Sequence, residues 1–173
     1  TGYGISLRPL ALFAAETYRN SDLSCFQPKM LEDGEQSKID ITRAARMHKA
    51  IAVIQFKLEG QIIKRNPSFG MDDRLLLDKI DFEKKTVRLP SGEYPLRDCD
   101  FPTIDPADPY RLSPEEHALM AQLKNSFLRS EKLQRHISFL YSKGGLYKCF
   151  NGNLLFHGCI PMDGNGEFLR FSF

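Results

Sequence analysis

The sequence predicts an α+β fold in which two helical portions flank a small β-ribbon and a C-terminal β-hairpin ends the chain. Three observations predict it. Between Asp40 and Arg65 apolar residues recur at helical spacing, around Thr86 to Leu89 they alternate with polar ones, and two apolar runs near the C-terminus are joined by Asn151-Gly152-Asn153. With 173 residues, 42% of them apolar, there is enough material to bury a core.

The first element lies in TGYGISLRPLALFAAETYRN, where Leu7, Leu10, Ala11, Ala14 and Ala15 share a helical face and Ser6 is placed to cap the first turn. Pro9 falls in that turn, where a missing N–H costs little, and Asn20-Ser21-Asp22 ends the helix. A loop through FQPKMLEDGEQ leads to the longest element. There Ile41, Ala44, Ala45, Met47, Ile51, Ile54, Leu58 and Ile62 form a broad apolar stripe, opposed by Arg43, Lys49, Lys57 and Lys64 on the face the pattern gives to solvent. Asn66-Pro67 stops the helix, because a residue before proline is pushed out of helical geometry, and Gly60 is expected to loosen its last turn. Residues 1–78 thus read as a first helical part.

Residues 79–112 read as a β-ribbon followed by a proline-rich connector. KIDFEKKTVRLPSGEYPLR alternates around Thr86, Val87 and Leu89 and turns at Pro90-Ser91-Gly92. CDFPTIDPADPYRLSP holds four prolines in sixteen residues, which predicts an extended run over the surface. Residues 113–144 read as a helical hairpin. Ser113-Pro114-Glu115-Glu116 supplies a cap, a proline at the first helical position and a glutamate three residues on, opening a helix to about Leu128. Glu131 to Ser142 follows with Leu133, Ile137, Leu140 and Tyr141 as its stripe, until Gly144-Gly145. Met47, Phe56, Phe127 and Phe139 fall within such helical patterns and are assigned to packing. Residues 145–173 read as a β-hairpin whose second strand, Leu154 to Phe156, is apolar at every position, as in a strand covered on both faces; Gly164-Asn165-Gly166 then turns the chain again.

The charge excludes some function classes. Twenty-four basic against 22 acidic residues give a net +2, too even for a nucleic-acid-binding face or an anionic membrane surface. No apolar run reaches the roughly 20 residues needed to span a bilayer, and no signal-peptide pattern opens the sequence, so a cytoplasmic setting is expected. Cys25, Cys99, Cys149 and Cys159 lie far apart without metal-ligand spacing and read as buried reduced thiols.

One position invites chemistry. His157 stands at the C-terminal end of the apolar strand and is followed by Gly158, an arrangement that suits a metal-ligating imidazole held by a strand. Spacing alone fits a hydrogen-bonded rim histidine as well. His48 and His117 sit on helices without a metal-ligand partner and read as surface or capping residues.

Longer strings go further. NGNLLFHGCIPMDGNGEF, KAIAVIQFKLEGQIIKRNPSFGMDDRLLLDKI, CDFPTIDPADPYRLSPEE and SEKLQRHISFLYSKGGLY resemble, in the same order, class III fructose-1,6-bisphosphatases, the long bacterial form within the calcineurin-like metallophosphoesterase superfamily; GYGISLRPL is similar to the stretch shortly after that family's GNHD motif. The resemblance implies hydrolysis of fructose 1,6-bisphosphate in gluconeogenesis with two manganese or magnesium ions. In the superfamily their ligands come from DxH, GDxxDRG, GNHD, HG and GH motifs, and only HG occurs here. His157 then corresponds to a metal ligand, with Gly158 shaping the approach, in an incomplete domain whose hairpin belongs to the metallophosphoesterase central sheet. A single imidazole supplies neither a bridging hydroxide nor two cations, so this segment alone is expected to bind no metal and to be inactive.

For the sugar bisphosphate, Arg135, His136 and Lys143 are the candidate contacts. Arg43, Arg46, Lys49, Lys57, Arg65 and Arg74 form a second basic set that suits either a phosphate grip or a solvated face. An apolar face that would meet the missing portion of the enzyme is expected to be exposed and to favour self-association. The alternatives are a noncatalytic helical interaction domain, in which His157 is structural, and a metallophosphatase of another substrate.

Overall fold

A computed structural model describes residues 2–28, 41–145, 147–158 and 161–169. The chain divides into two compact units, Thr1–Phe127 and Leu128–Phe173. The division falls at the end of the first of the two helices that the sequence groups as a hairpin, so each of those helices belongs to a different unit. Among the described residues no helix is long and apolar enough to cross a membrane.

In the first unit, helix α1 (Arg8–Thr17) packs on the long helix α2 (Ile41–Arg65). Ser6 does act at the start of α1, its Oγ accepting from the Arg8 N–H at 3.2 Å, one residue ahead of the N-cap position held by Leu7. Leu10 and Ala14 of α1, Tyr18 just after it, Ala50 and Ile54 of α2, and Leu112, Leu119 and Leu123 form one core cluster, against which Met47 also packs. A second cluster joins Val53 and Ile63 of α2 to Leu75, Leu77, Ile104 and Tyr110. Asn66 ends α2 as predicted, its Nδ2 donating to the Ile62 carbonyl at 2.8 Å, and three short 3-10 turns follow between Pro67 and Lys79. The ribbon is a three-stranded antiparallel sheet, β1 (Ile80–Asp81), β2 (Thr86–Leu89) and β3 (Gly92–Pro95), with Leu89 paired to Gly92 across the turn.

Five expectations are corrected here, the simplest being that Cys25 and Cys149 are exposed and Cys99 only half-buried, since no apolar layer closes over them. Lys49 and Lys57 are not on a solvated face: both are wholly buried. The face they share is covered by the connector, which brings carboxylates and carbonyls to them, so the polar side of α2 became an interior side without becoming apolar. The connector itself does not simply cross the surface. Ile104, Tyr110 and Leu112 are all buried, because its prolines set turns that point one side chain after another inward. Gly60 serves packing: a Cβ there would run into the ring of Tyr110, so its missing side chain is the seat for the connector's aromatic anchor. Finally, Phe56, Phe127 and Phe139 are exposed, as are Ile41 and Ile62 at the ends of the predicted stripe. Two lysines took a place on the inner face of α2, and the burial of Val53 and Ile63 turned it away from those positions.

Helix α3 (Pro114–Leu128) opens with the predicted capping box: the Glu116 N–H donates to Ser113 Oγ at 3.2 Å, and the Ser113 N–H donates to Glu116 Oε2 at 2.8 Å. Pro114 takes the first helical position, where no N–H is missed.

The second unit contains helix α4 (Glu131–Lys143) and the antiparallel pair β4 (Tyr147–Phe150) and β5 (Asn153–Phe156). Register pairs Tyr147 with Phe156 and Phe150 with Asn153, so Asn151-Gly152 forms a two-residue turn with φ of 49° and 73°, the positive values that Asn and Gly tolerate best. Gly144 ends α4 by donating its N–H to the Leu140 carbonyl at 2.7 Å. Beyond the hairpin, Asp163 organises the predicted glycine turn: its Oδ1 accepts from the N–H of Asn165 at 2.9 Å and of Glu167 at 3.0 Å. These bonds hold the Asp163 carboxyl below its ordinary range, the Glu167 N–H contributing most.

The sequence predicts that Leu154 to Phe156 is covered on both faces. In this chain all three are exposed, at 52 to 54%. Among the described residues this sheet has only two strands, so an apolar strand pattern alone does not bury a strand.

Candidate functional site

His157 follows the last residue of β5 and is exposed, in a bend with Gly158. The strand fixes where the imidazole leaves the sheet. Gly158 has φ of 82°, in the left-handed region, and a Cβ there would meet nothing within 4 Å. Its role within this chain is therefore conformational: it lets the backbone turn directly after the histidine, without any crowding neighbour. Cys159 and Ile160 lie outside the described residues.

Arg135 and His136 lie on α4 and Lys143 is its last residue; all three are exposed. His136 and Lys143 are seven residues apart, two helical turns, and so share one face roughly 10 Å apart along the axis. Arg135 is turned away from that line by about a quarter turn. The second unit thus carries His157, Gly158 and the three candidate substrate contacts on two elements, with the basic residues on the helix and the imidazole at the strand end.

The donor set decides what this unit can do with a metal. A stable site for manganese or magnesium needs several oxygen ligands, or a mixed set converging on one point. Among the described residues no group of three or more His, Cys, Asp and Glu side chains converges on a common point, and His157 brings a single neutral nitrogen. Among the described residues no such donor set is assembled.

The second basic set is separated by the structure. Lys49 Nζ donates to the Asp22 carbonyl at 2.8 Å and lies 2.8 Å from Asp98 Oδ2, a close ion pair though not aligned as a hydrogen bond. The rings of Phe26 and Phe101 stand 5.7 and 5.5 Å from the same ammonium. Arg46 donates to the Arg19 carbonyl at 2.9 Å. Lys57 Nζ donates to Glu116 Oε2 at 2.7 Å and to the Thr103 carbonyl at 2.6 Å, with both ionic side chains fully buried. These lysines have no donor direction left open to solvent, and neither grips a phosphate. They cross-link instead, Lys49 tying the segment after α1 and the start of the connector to α2, and Lys57 tying the connector and α3 to it. Of the other histidines, His48 stands edge-on to Phe26, with ring centroids 5.5 Å apart, and His117 is exposed on α3.

Sequence periodicity missed this buried network because a lysine at a helical position looks the same whether it faces water or a carboxylate. One signal was available. Glu116 belongs to a capping box, which draws its carboxylate back onto the helix start, and Lys57 lies in the stretch that must pack against that start. Near the pair, Tyr18 Oη lies 3.4 Å from Thr103 Oγ1, and burial pushes its phenol up to about 12. Tyr110 is likewise pushed to about 12, by burial first and then by the Asp78 carboxylate; it accepts from the Leu77 N–H at 3.0 Å and donates to Asp78 Oδ1 at 3.2 Å.

Comparison with known proteins extends beyond this geometry. A family model described as Firmicute fructose-1,6-bisphosphatase matches residues 1–173. Among similar proteins, a class 3 fructose-1,6-bisphosphatase of Listeria innocua is 54% identical over 168 residues, covering 97% of this chain and 26% of its own length. The proteins of the same name from Alkaliphilus metalliredigens and Clostridium novyi are each 53% identical, over 98% and 96% of this chain and 25% of their own length. The chain therefore spans about a quarter of the length of the curated relatives it matches. No solved structure matches it.

Proposed function

Because the chain belongs to the Firmicute fructose-1,6-bisphosphatase family, we propose that it forms one segment of a phosphatase that hydrolyses fructose 1,6-bisphosphate to fructose 6-phosphate and phosphate, as in gluconeogenesis. The observation that carries this reading is similarity above 50% along nearly the whole chain to relatives that share that name. Similarity of that extent reaches the hairpin with His157 as well as the helices. In this reading His157 is a ligand in a metal centre of manganese or magnesium, Gly158 gives the chain its turn behind the imidazole, and the remaining ligands come from other parts of the family's longer chain. Arg135, His136 and Lys143 are the candidate contacts for a phosphate of the substrate. Lys49 and Lys57 are excluded from that role by their buried partners.

The test measures phosphate release from fructose 1,6-bisphosphate with manganese present, comparing this chain with the same chain joined to the flanking portions of the Listeria innocua enzyme. The joined protein is expected to turn over and this chain alone is not. His157→Ala should lower turnover of the joined protein by about a hundredfold or more, with its fold retained by circular dichroism. Wild-type turnover in that variant would remove His157 from the metal centre. Turnover by neither protein on any sugar bisphosphate would favour a noncatalytic interaction domain, which the open apolar surface of the second unit would also suit.

A further inference from the structure

The sequence holds two Asn-Gly pairs, Asn151-Gly152 and Asn165-Gly166, and the second unit exposes both. After an asparagine, glycine leaves its own main-chain nitrogen unscreened, since it has no side chain to stand beside the Asn carboxamide. Once that nitrogen loses its proton it can close on the carboxamide carbon as a cyclic imide. Exposure and residue type are the same at the two sites, so only the local hydrogen bonding can tell them apart.

The structure separates them at the glycine nitrogen. Between β4 and β5 the register pairs Phe150 directly with Asn153, and among the described residues the Gly152 N–H has no hydrogen-bond acceptor. Nothing lies within 4 Å of where a Gly152 Cβ would stand, so the imide ring has room to form. The hairpin around it is two strands with every position exposed, a ribbon that opens easily enough to bring the carboxamide over the nitrogen. At the second site the Gly166 N–H donates to the Asp163 carbonyl at 3.1 Å. Asp163 Oδ1 fixes the Asn165 N–H at 2.9 Å, and the Gly166 N–H is among the groups that hold the Asp163 carboxyl below its ordinary range. A nitrogen that must ionise before it attacks is held protonated by a neighbouring carboxylate. Two more main-chain bonds close that turn, from the Asp163 N–H to the Glu167 carbonyl at 2.9 Å and from the Leu169 N–H to the Pro161 carbonyl at 3.1 Å.

We propose that Asn151 is a site of spontaneous deamidation in this chain, and that Asn165, in the same dipeptide, is protected by the turn that Asp163 organises. Water takes the Gly152 amide proton and the nitrogen attacks Asn151 Cγ. The N–Cγ bond forms, the Cγ–Nδ2 bond breaks, and the leaving nitrogen takes a proton from water and departs as ammonia. The cyclic imide then adds one water. Cleavage of its N–Cγ bond leaves aspartate, and cleavage between the same nitrogen and the Asn151 main-chain carbonyl carbon leaves isoaspartate. The net change is amide plus water to carboxylic acid plus ammonia, with no oxidation or reduction. Aspartate before glycine suits the same two-residue turn and adds one negative charge at its tip. Isoaspartate adds a carbon to the main chain, so the turn no longer matches the Phe150–Asn153 pairing from which the register runs to Phe156. The inference depends neither on His157 being a metal ligand nor on the reaction proposed above.

Peptide mass mapping tests it on this chain, held in mildly alkaline buffer and sampled over weeks, with fragmentation that places the mass gain on one asparagine and tells isoaspartate from aspartate. In the folded chain Asn151 should convert at least about tenfold faster than Asn165. In the chain unfolded by urea the Asp163 bonds are gone, and the two rates should converge. Asp163→Ala should raise the Asn165 rate by about tenfold and leave that of Asn151 unchanged. The folded and unfolded samples share one sequence, so their comparison stands even if that variant disturbs the fold.

Asn165 converting as fast as Asn151 in the folded chain would overturn the proposal, as would a ratio of rates that unfolding leaves unchanged. An Asn151 that keeps its amide in the folded chain while the unfolded chain loses it would overturn it as well, because the closed hairpin would then be the protection. Asn165 remaining slow in a folded Asp163→Ala variant would refute the protective role of Asp163.

Discussion

Replacing Glu116 by leucine tests whether the buried ion pair holds the first unit together. Glu116 Oε2 accepts from Lys57 Nζ at 2.7 Å and from the Ser113 N–H at 2.8 Å, both partners being groups that water reaches poorly. Removing the carboxylate leaves the wholly buried Lys57 ammonium with the Thr103 carbonyl as its one remaining acceptor. Breaking a buried pair from one side costs about 3–5 kcal/mol, and losing the glutamate half of the capping box adds about 1 kcal/mol. For a unit of this size about 4 kcal/mol corresponds to a fall in melting temperature of roughly 12–20 °C. Lys57→Met should cost about 3 kcal/mol, because the stranded Glu116 carboxylate keeps the Ser113 N–H as a donor. The double variant removes both charges and fills the space with apolar atoms. It should lie within about 2 kcal/mol of the parent chain, most of the residual cost being the lost cap. Urea unfolding followed by helical circular dichroism measures all four proteins, and the double-variant cycle should give a coupling of at least about 3 kcal/mol. Additive single effects would refute the reasoning, since the cost would then lie in packing rather than in an unpaired buried charge.

Further outcomes follow from the same structure. Gly60→Ala should destabilise by about 1–3 kcal/mol in urea unfolding, the reverse of the gain expected for an open helical glycine, because the added methyl meets the Tyr110 ring; a stabilised variant would mean that the ring moves aside freely. Ser113→Ala should cost about 1 kcal/mol by losing the bond from the Glu116 N–H. Tyr18 and Tyr110 have folded pKa values raised to about 12 from 10, so the folded state holds their protons more tightly than the unfolded chain does. Their contribution is full below pH 10 and is lost as pH rises towards 12. Ultraviolet titration should show two of the six tyrosines ionising late, together with unfolding, and Tyr110→Phe should reduce that alkaline dependence. Asp22 is held low chiefly by the Ser24 N–H and Asp81 chiefly by the Lys84 N–H, so their contribution is present above the ordinary carboxylate range and fades as pH falls through the folded values; melting temperature should therefore decline on acidification, and Asp22→Asn should flatten part of that decline.

What the sequence determined by itself was local. The capping box at Ser113, the stop at Asn66-Pro67, the Asn151-Gly152 turn and the existence of all four helices were legible because each depends on interactions within a few residues. The resemblance carried by the FHGCIP segment and its companions likewise gave the family, since long unusual strings need no structure to be matched. Three matters were decided only in the tertiary structure. The fate of Lys49 and Lys57 depended on carboxylates some 50 to 60 residues away in sequence, Asp98 and Glu116, which no helical period can report. The role of Gly60 depended on Tyr110, because the absence of a side chain has meaning only when something approaches closely. The exposure of Leu154, Leu155 and Phe156 depended on what else is present to cover them: an apolar strand states what it requires of its neighbours, and burial comes only from the residues that pack against it.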